Sequence, residues 1–293
     1  MTEISTAKPA DPRDAATVML LRGPANQPEI FMVKRTSKAK FMANAMVFPG
    51  GRLDDADCTD KLASHCALSR VQAASRLGID DGQRALGLHI AALRETFEEA
   101  GVLLARCADE EQTLTHSPMK ERLVIWRDRL NAGEASLLEM VEEEHLILAV
   151  DELRYFSHWV TPEVEKRRYD TRFFLATAPE EQVPSHDTKE TTASAWLNAE
   201  TALDRYEASD IQLAPPTLRV LMDIAADPAI VHPATICPVP APICPKPHFE
   251  DDRLHLILPG DPDFEPPGST PNRVILEQGR WVSVGTGSRL ITS

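Results

Sequence analysis

The chain has 293 residues, with 31 Lys and Arg against 45 Asp and Glu for a formal net charge of −14, 43% hydrophobic and 26% charged. That length allows one enlarged domain or two small ones, and the composition excludes a collagen-like, fully disordered or disulfide-scaffold chain. A surface this negative repels nucleic acid and anionic lipid, so neither is expected as a partner, and a phosphate-bearing ligand needs a local basic patch or a bound cation.

The opening MTEISTAKPADPRD is polar and acidic where a signal peptide would be apolar, and no run approaches the ~20 apolar residues of a membrane helix. Five cysteines (Cys58, Cys66, Cys107, Cys237, Cys244), odd in number and without CxxC spacing, predict free thiols and a cytoplasmic location. In chain order, Ala16 to Leu21 and Ile30 to Val33 read as strands around the loop GPANQP. A basic stretch follows, with Lys34, Arg35, Lys38 and Lys40, and leads into Phe48-Pro49-Gly50-Gly51.

Between Asp80 and Arg106, Leu86, Ile90, Leu93 and Phe97 recur at helical spacing, with Gly101 as the helix stop. Residues 118 to 153 read as mainly helical, and Glu142-Glu143-Glu144 as a solvated face. Strands return at 155–160, 172–176 and 195–197, followed by helices over 199–206 and 217–226, the latter opened by Pro215-Pro216. Beyond Asp227, residues 233 to 271 hold 11 of the 23 prolines, yet 255–258 and 273–276 read as strands, so an ordered extension is expected.

Glu95, Glu98 and Glu99 share one helix face opposite the apolar stripe. Three carboxylates on one turn raise each other's pKa unless a cation neutralises them, and Mg2+ or Mn2+ suits carboxylate and carbonyl oxygens. Gly50-Gly51 offers bare backbone that can approach a metal or phosphate closely.

Arg94-Glu95-Thr96-Phe97-Glu98-Glu99-Ala100-Gly101-Val102 resembles the Arg-Glu-U-x-Glu-Glu-x-Gly-U core of the Nudix box, U being apolar, and Phe48-Pro49-Gly50-Gly51 the loop that begins it. Asp57 stands where the box has glutamate, and 36 residues, 58 to 93, separate it from Arg94 where the box has seven, an insertion of 29. Loop closure costs little more with length, so flanks this rigid tolerate the insertion. The spacing Arg35, Thr36, Lys40, Asn44 before Phe48 partly matches the coenzyme A diphosphatase signature. The insertion, Phe41-Met42, Trp159-Val160-Thr161-Pro162, Lys166 to Thr171 and the LPGDP element at 258–262 resemble the sub-branch typified by a mammalian peroxisomal coenzyme A diphosphatase.

The resemblance implies a Nudix α/β/α sandwich with a mixed curved sheet over residues 15–227, an insertion at 58–88 inside the box and a helical insertion at 107–153. A proline-rich extension over 228–293 is expected to dock on this core and help form a homodimer. The implied activity is metal-dependent hydrolysis of a diphosphate linking a nucleoside to a second moiety. Coenzyme A or acyl-coenzyme A is the first substrate, with ADP-ribose, NADH or dinucleotides as alternatives and a non-catalytic nucleotide-binding module as the rival class. Gly50, Glu95, Glu98 and Glu99 would hold the metal, Arg94 would orient the glutamates, and Glu98 or Glu190 would take the proton. Arg35, Lys40, Gly51 and Arg52 would bind substrate. Ser185-His186-Asp187 reads as a polar loop rather than a triad, and His232, Cys237, Cys244 and His248 fit no standard zinc spacing.

Overall fold

The computed structural model describes residues 10–37, 42–108, 114, 117–187 and 189–285. Four strands come first: β1 (Arg13–Arg22), β2 (Glu29–Arg35), β3 (Ala45–Val47) and β4 (Gly50–Arg52). A 3-10 turn at Asp55–Cys58, α1 (Asp60–Ala63) and α2 (Arg70–Leu77) lead to α3 (Gly82–Ala100). Strand β5 (Ala105–Cys107), α4 (Ser117–Ala132), α5 (Leu137–Glu143) and β6 (Leu146–Leu148) form the next block. The sheet resumes with β7 (Arg154–Val160), β8 (Tyr169–Thr177) and β9 (Thr191–Asn198), then α6 (Ala199–Glu207), β10 (Gln212–Leu213) and α7 (Pro215–Ala226). Strands β11 (Lys246–Glu250), β12 (Arg253–Ile257), β13 (Asn272–Glu277) and β14 (Arg280–Gly285) close the chain.

The main sheet is mixed, ordered β10-β3-β2-β1-β8-β7, with β4 also on β1 and β9 also on β2. β1 runs parallel to β8 and antiparallel to β2. Alternation sends Val18, Leu20, Phe31 and Val33 to one face, against α3 and the insertions, and Met19, Leu21, Ile30 and Met32 to the other, against α6 and α7. Both faces are covered, so these strands read as continuous apolar runs. This is the expected α/β/α arrangement.

The long helix begins at Gly82, so residues 82–88, expected within the box insertion, are the first turns of α3 itself. Asp81 caps its start by accepting from the Arg84 amide, and Gly101 ends it at φ 69°, a left-handed conformation that glycine adopts without a Cβ penalty. The second insertion is closed at its base by the pairing of β5 and β6, whose three-residue strands are too short to show alternation in sequence. Within it, Glu144 is a correction: it is buried, and its carboxylate accepts from Trp126 Nε1 and Arg122 Nε, both at 2.8 Å. Among the described residues no helix is long and apolar enough to cross a membrane.

Residues 246–285 form a four-stranded antiparallel sheet in the order β11-β12-β13-β14. Leu256, Leu258 and Val274 pack into the same core as Leu218, Leu221 and Ile224 of α7. Fully buried Arg219 donates to Asn272 Oδ1 at 2.6 Å and to Ser283 Oγ. The Asn272 amide and the Arg273 guanidinium in turn donate to buried Asp261 of the LPGDP element.

Candidate active site

Strand β4 lies antiparallel to β1 with Gly50 opposite Thr17, and Thr17 Oγ1 donates to the Pro49 carbonyl at 2.6 Å. A Cβ on Gly50 would come within 2.4 Å of the Ala16 carbonyl oxygen, and one on Gly51 within 2.3 Å of the Glu95 carboxylate. Gly50 is therefore required by close approach of backbone, and a side chain at Gly51 would displace the Glu95 carboxylate. The Gly50 amide donates to Glu99 Oε2 at 3.0 Å, tying the loop to α3.

Arg94 is the hub. Its Nη1 donates to Glu95 Oε1 at 2.9 Å and to Glu98 Oε2 at 3.1 Å, the latter the expected i, i+4 contact. Its Nε and Nη2 donate to the two oxygens of Asp57 at 2.9 and 3.0 Å, and Nη2 also reaches the Arg52 carbonyl. Asp57 thus makes a two-point fork with Arg94 despite its short side chain, because the 3-10 turn after β4 brings its backbone close. A capping contact to the Asp54 amide at 3.0 Å holds it there.

Burial raises the carboxyls of Asp57, Glu95, Glu98 and Glu99. Glu95 is pushed up to about 7, by desolvation first and by the Glu98 and Glu190 charges after it, against the pull of Arg94. Desolvation raises Glu98 and Asp57 although Arg94 opposes both. Glu99 is raised well above the ordinary range, by burial and then by the Glu95 charge, with the Gly50 amide and Arg35 opposing. Arg94 is raised: burial works against its charge, and Asp57, Glu95 and Glu98 outweigh it. Dehydrated anions outnumber cations in this cradle, the electrostatic condition for a bound divalent cation.

The donor set, carboxylate oxygen beside bare glycine backbone, fits Mg2+ or Mn2+. The hydrogen bonds above engage one oxygen each of Glu95, Glu98 and Glu99. Among the described residues, no three His, Cys, Asp or Glu side chains are already drawn together as a ligand group.

The other expected residues are distributed around this cradle. Glu190 is exposed on the loop before β9, and its charge reaches Glu95 and Glu99. Its carbonyl accepts from the Thr36 amide at 3.0 Å, which joins the end of β2 to the same loop. Arg35 ends β2, its charge acts on Glu99, and its buried Nε has no hydrogen-bond partner among the described residues. Arg52 contributes its carbonyl to Arg94 while the residue is exposed. Lys40, with Lys38 and Phe41, lies outside the described residues. Ser185, His186 and Asp187 form no triad: Asp187 accepts from the Glu190 and Thr191 amides, and His186 Nδ1 lies 3.4 Å from Ser194 Oγ.

Sequence reasoning missed Arg127, on α4, which donates to the backbone carbonyls of Glu98 and Glu99. Nothing local marks it, since it sits 28 residues beyond Glu99 in a helix read only for its apolar stripe.

The sequence model of the NUDT19 Nudix domain matches residues 12–224. Among curated proteins, the acyl-coenzyme A diphosphatase NUDT19 of Xenopus laevis is 28% identical over 219 residues, 64% of this chain and 57% of that one. Its Gallus gallus counterpart is 29% identical over 253 residues, 70% of this chain and 65% of its own. The chain thus aligns with about three fifths of the length of these relatives. A solved Nudix hydrolase from Alicyclobacillus acidocaldarius aligns over 78% of this chain and 97% of its own, with 27% identity and a TM-score of 0.60.

Proposed function

Because the chain belongs to the Nudix superfamily, within the NUDT19 Nudix domain family, we propose that it hydrolyses the diphosphate of a nucleoside diphosphate derivative with Mg2+ or Mn2+. Coenzyme A or acyl-coenzyme A is the substrate favoured, giving 3′,5′-ADP and (acyl-)4′-phosphopantetheine. The observation that carries the reading is the Arg94 hub, which holds Glu95, Glu98 and Asp57 together beside the Gly50 contact to Glu99. The similarity to relatives named acyl-coenzyme A diphosphatases supports the substrate class.

Glu95, Glu98, Glu99 and the Gly50 backbone would hold the ions. When bound, these supply charge neutralisation of the diphosphate and a more acidic water. Arg94 keeps Glu95 and Glu98 on one side of α3, so neither rotamer has to be found during turnover. Glu98 or Glu190 accepts the proton of the attacking water. Arg35 adds a cation beside Glu99, where a diphosphate would lie. The reading includes a homodimer in the cytoplasm, and light scattering at twice the chain mass checks the assembly.

Glu98→Gln and Glu99→Gln preserve size and remove a charge, so each is expected to lower kcat by about 10²-fold or more with the fold retained by circular dichroism. The assay is hydrolysis of a panel of coenzyme A, acyl-coenzyme A, ADP-ribose, NADH and dinucleoside polyphosphates, with mass spectrometry of the products. Near wild-type turnover in either variant would sink the site assignment. Preference for ADP-ribose or a dinucleotide would move the substrate, and no turnover on any would leave a binding module.

A further inference from the structure

We infer that Arg127, contributed by the helical insertion, is a positioning residue that holds the carboxylate turn of α3 and the Glu190 loop at a set distance from each other. The inference rests on the proposed hydrolase reading in that Glu98, Glu99 and Glu190 are the groups so placed.

The last carbonyls of a helix have no partner within it, and a cation at that end also meets the negative pole of the helix dipole. Arg127 satisfies both conditions at the end of α3. Its Nε donates to the Glu98 carbonyl at 3.0 Å and its Nη2 to the Glu99 carbonyl at 2.9 Å. The other edge of the same guanidinium reaches the loop: Nη1 to Ser185 Oγ at 3.1 Å and Nη2 to the Ser185 carbonyl at 2.7 Å. One planar fork therefore joins two segments 86 positions apart at Glu99 and Ser185.

The bridge is reinforced on both sides. One turn later on α4, Asn131 Nδ2 donates to the Glu98 carbonyl at 3.2 Å, and the Asn131 carbonyl accepts from Lys189 Nζ at 2.9 Å. The Ser185 amide donates to the Ala100 carbonyl at 2.9 Å. Asp187 then fixes the turn, taking the Glu190 amide at 3.0 Å and the Thr191 amide at 2.9 Å. Gly101 leaves room for the fork, since a Cβ there would come within 2.7 Å of Arg127 Nη1. Residues 184–187 have no helix or strand of their own, so these contacts, with the Thr36 amide bond to the Glu190 carbonyl, set where Glu190 stands relative to Glu95 and Glu99.

The test uses the full chain. Arg127→Ala is expected to lower kcat about tenfold or more with KM for coenzyme A changed less than about threefold, since its donors are all directed at Glu98, Glu99 and Ser185. In a Glu190→Gln background the same change should cost less than about threefold, because the group it positions has lost its charge. Amide hydrogen exchange at residues 185–191 should be at least about tenfold faster in Arg127→Ala, with β1 and β2 unchanged. Arg127→Lys keeps the charge without the fork and carries the same measurements if the alanine variant fails to fold. An equal kcat loss in both backgrounds, or unchanged exchange at 185–191, would overturn the inference. If the wild type hydrolyses no diphosphate, the functional reading fails, and the exchange measurement still decides the clamp.

Discussion

His89 is fully buried on α3, its Nδ1–H donates to the Ala85 carbonyl at 2.8 Å, and its Nε2 has no partner among the described residues. Burial lowers its pKa from 6.5 to about 4. Between those values the unfolded chain binds a proton that the folded chain does not, so stability rises with pH through the window and is lost on acidification. The full loss is about 3 kcal/mol. His89→Leu removes that dependence, so the difference in urea unfolding free energy between variant and wild type should shift in favour of the variant from pH 7 to pH 4. A constant difference would mean that His89 does not titrate with folding. The substrate contact proposed for Arg35 is tested at the same scale. Its charge acts on Glu99 and its buried Nε is unpartnered among the described residues, which favours the diphosphate over a distant phosphate. Arg35→Ala is expected to raise KM about tenfold for coenzyme A and dephospho-coenzyme A alike. A larger effect on coenzyme A would assign Arg35 to the 3′-phosphate instead.

Helix α4 owes its place to a polar contact as much as to its stripe of Leu123, Trp126 and Leu130. Glu144, after α5, accepts the Trp126 indole N–H at 2.8 Å in a buried setting, while its other partner, Arg122, is half exposed. Glu144→Ala would leave the indole donor unsatisfied at a cost of about 1–3 kcal/mol, whereas Arg122 can turn to water. The expected result is a lower Tm together with faster exchange in α4 and at the Glu98 and Glu99 end of α3, because Arg127 rides on α4. A surface glutamate would show neither change. Glu142, Glu143 and Glu144 look alike in sequence, and only the crossing of α4 and α5 decides that the third faces inward. By contrast the body and end of α3 were legible, since its apolar stripe and terminal glycine are local signals, whereas its start at Gly82 fell within the expected insertion.

At the scale of the molecule, the C-terminal sheet adds a layer to the face of the main sheet already covered by α7. Tyr206 of α6 accepts from the Trp281 amide at 2.7 Å and donates to its carbonyl at 2.9 Å, and Ile243 exchanges backbone bonds with His158 and Val160 of β7. Leu256, Leu258 and Val274 would each expose apolar area worth ~25 cal/mol per Å2 if the segment detached. Amides of β12 and β13 should therefore exchange about as slowly as those of β1, and limited proteolysis should spare residues 233–285. Rapid cleavage there without protection would make the extension a free tail. Truncation after Asp227 is expected to expose α7 and lower solubility.

The sequence by itself determined the box helix, its three carboxylates, the two adjacent glycines and the doubly buried strands, because each is written in spacings of a few residues that helix and strand geometry convert directly into faces. Tertiary structure alone decided which distant groups complete the site. Asp57 meets Arg94 across 37 positions, Arg127 caps a helix that ends 27 residues before it, and Arg219 joins α7 to Asn272 53 positions on. An arginine or aspartate has the same local signature whether it is solvated or buried in a fork, and only the packing of separate elements removes its water and supplies its partner.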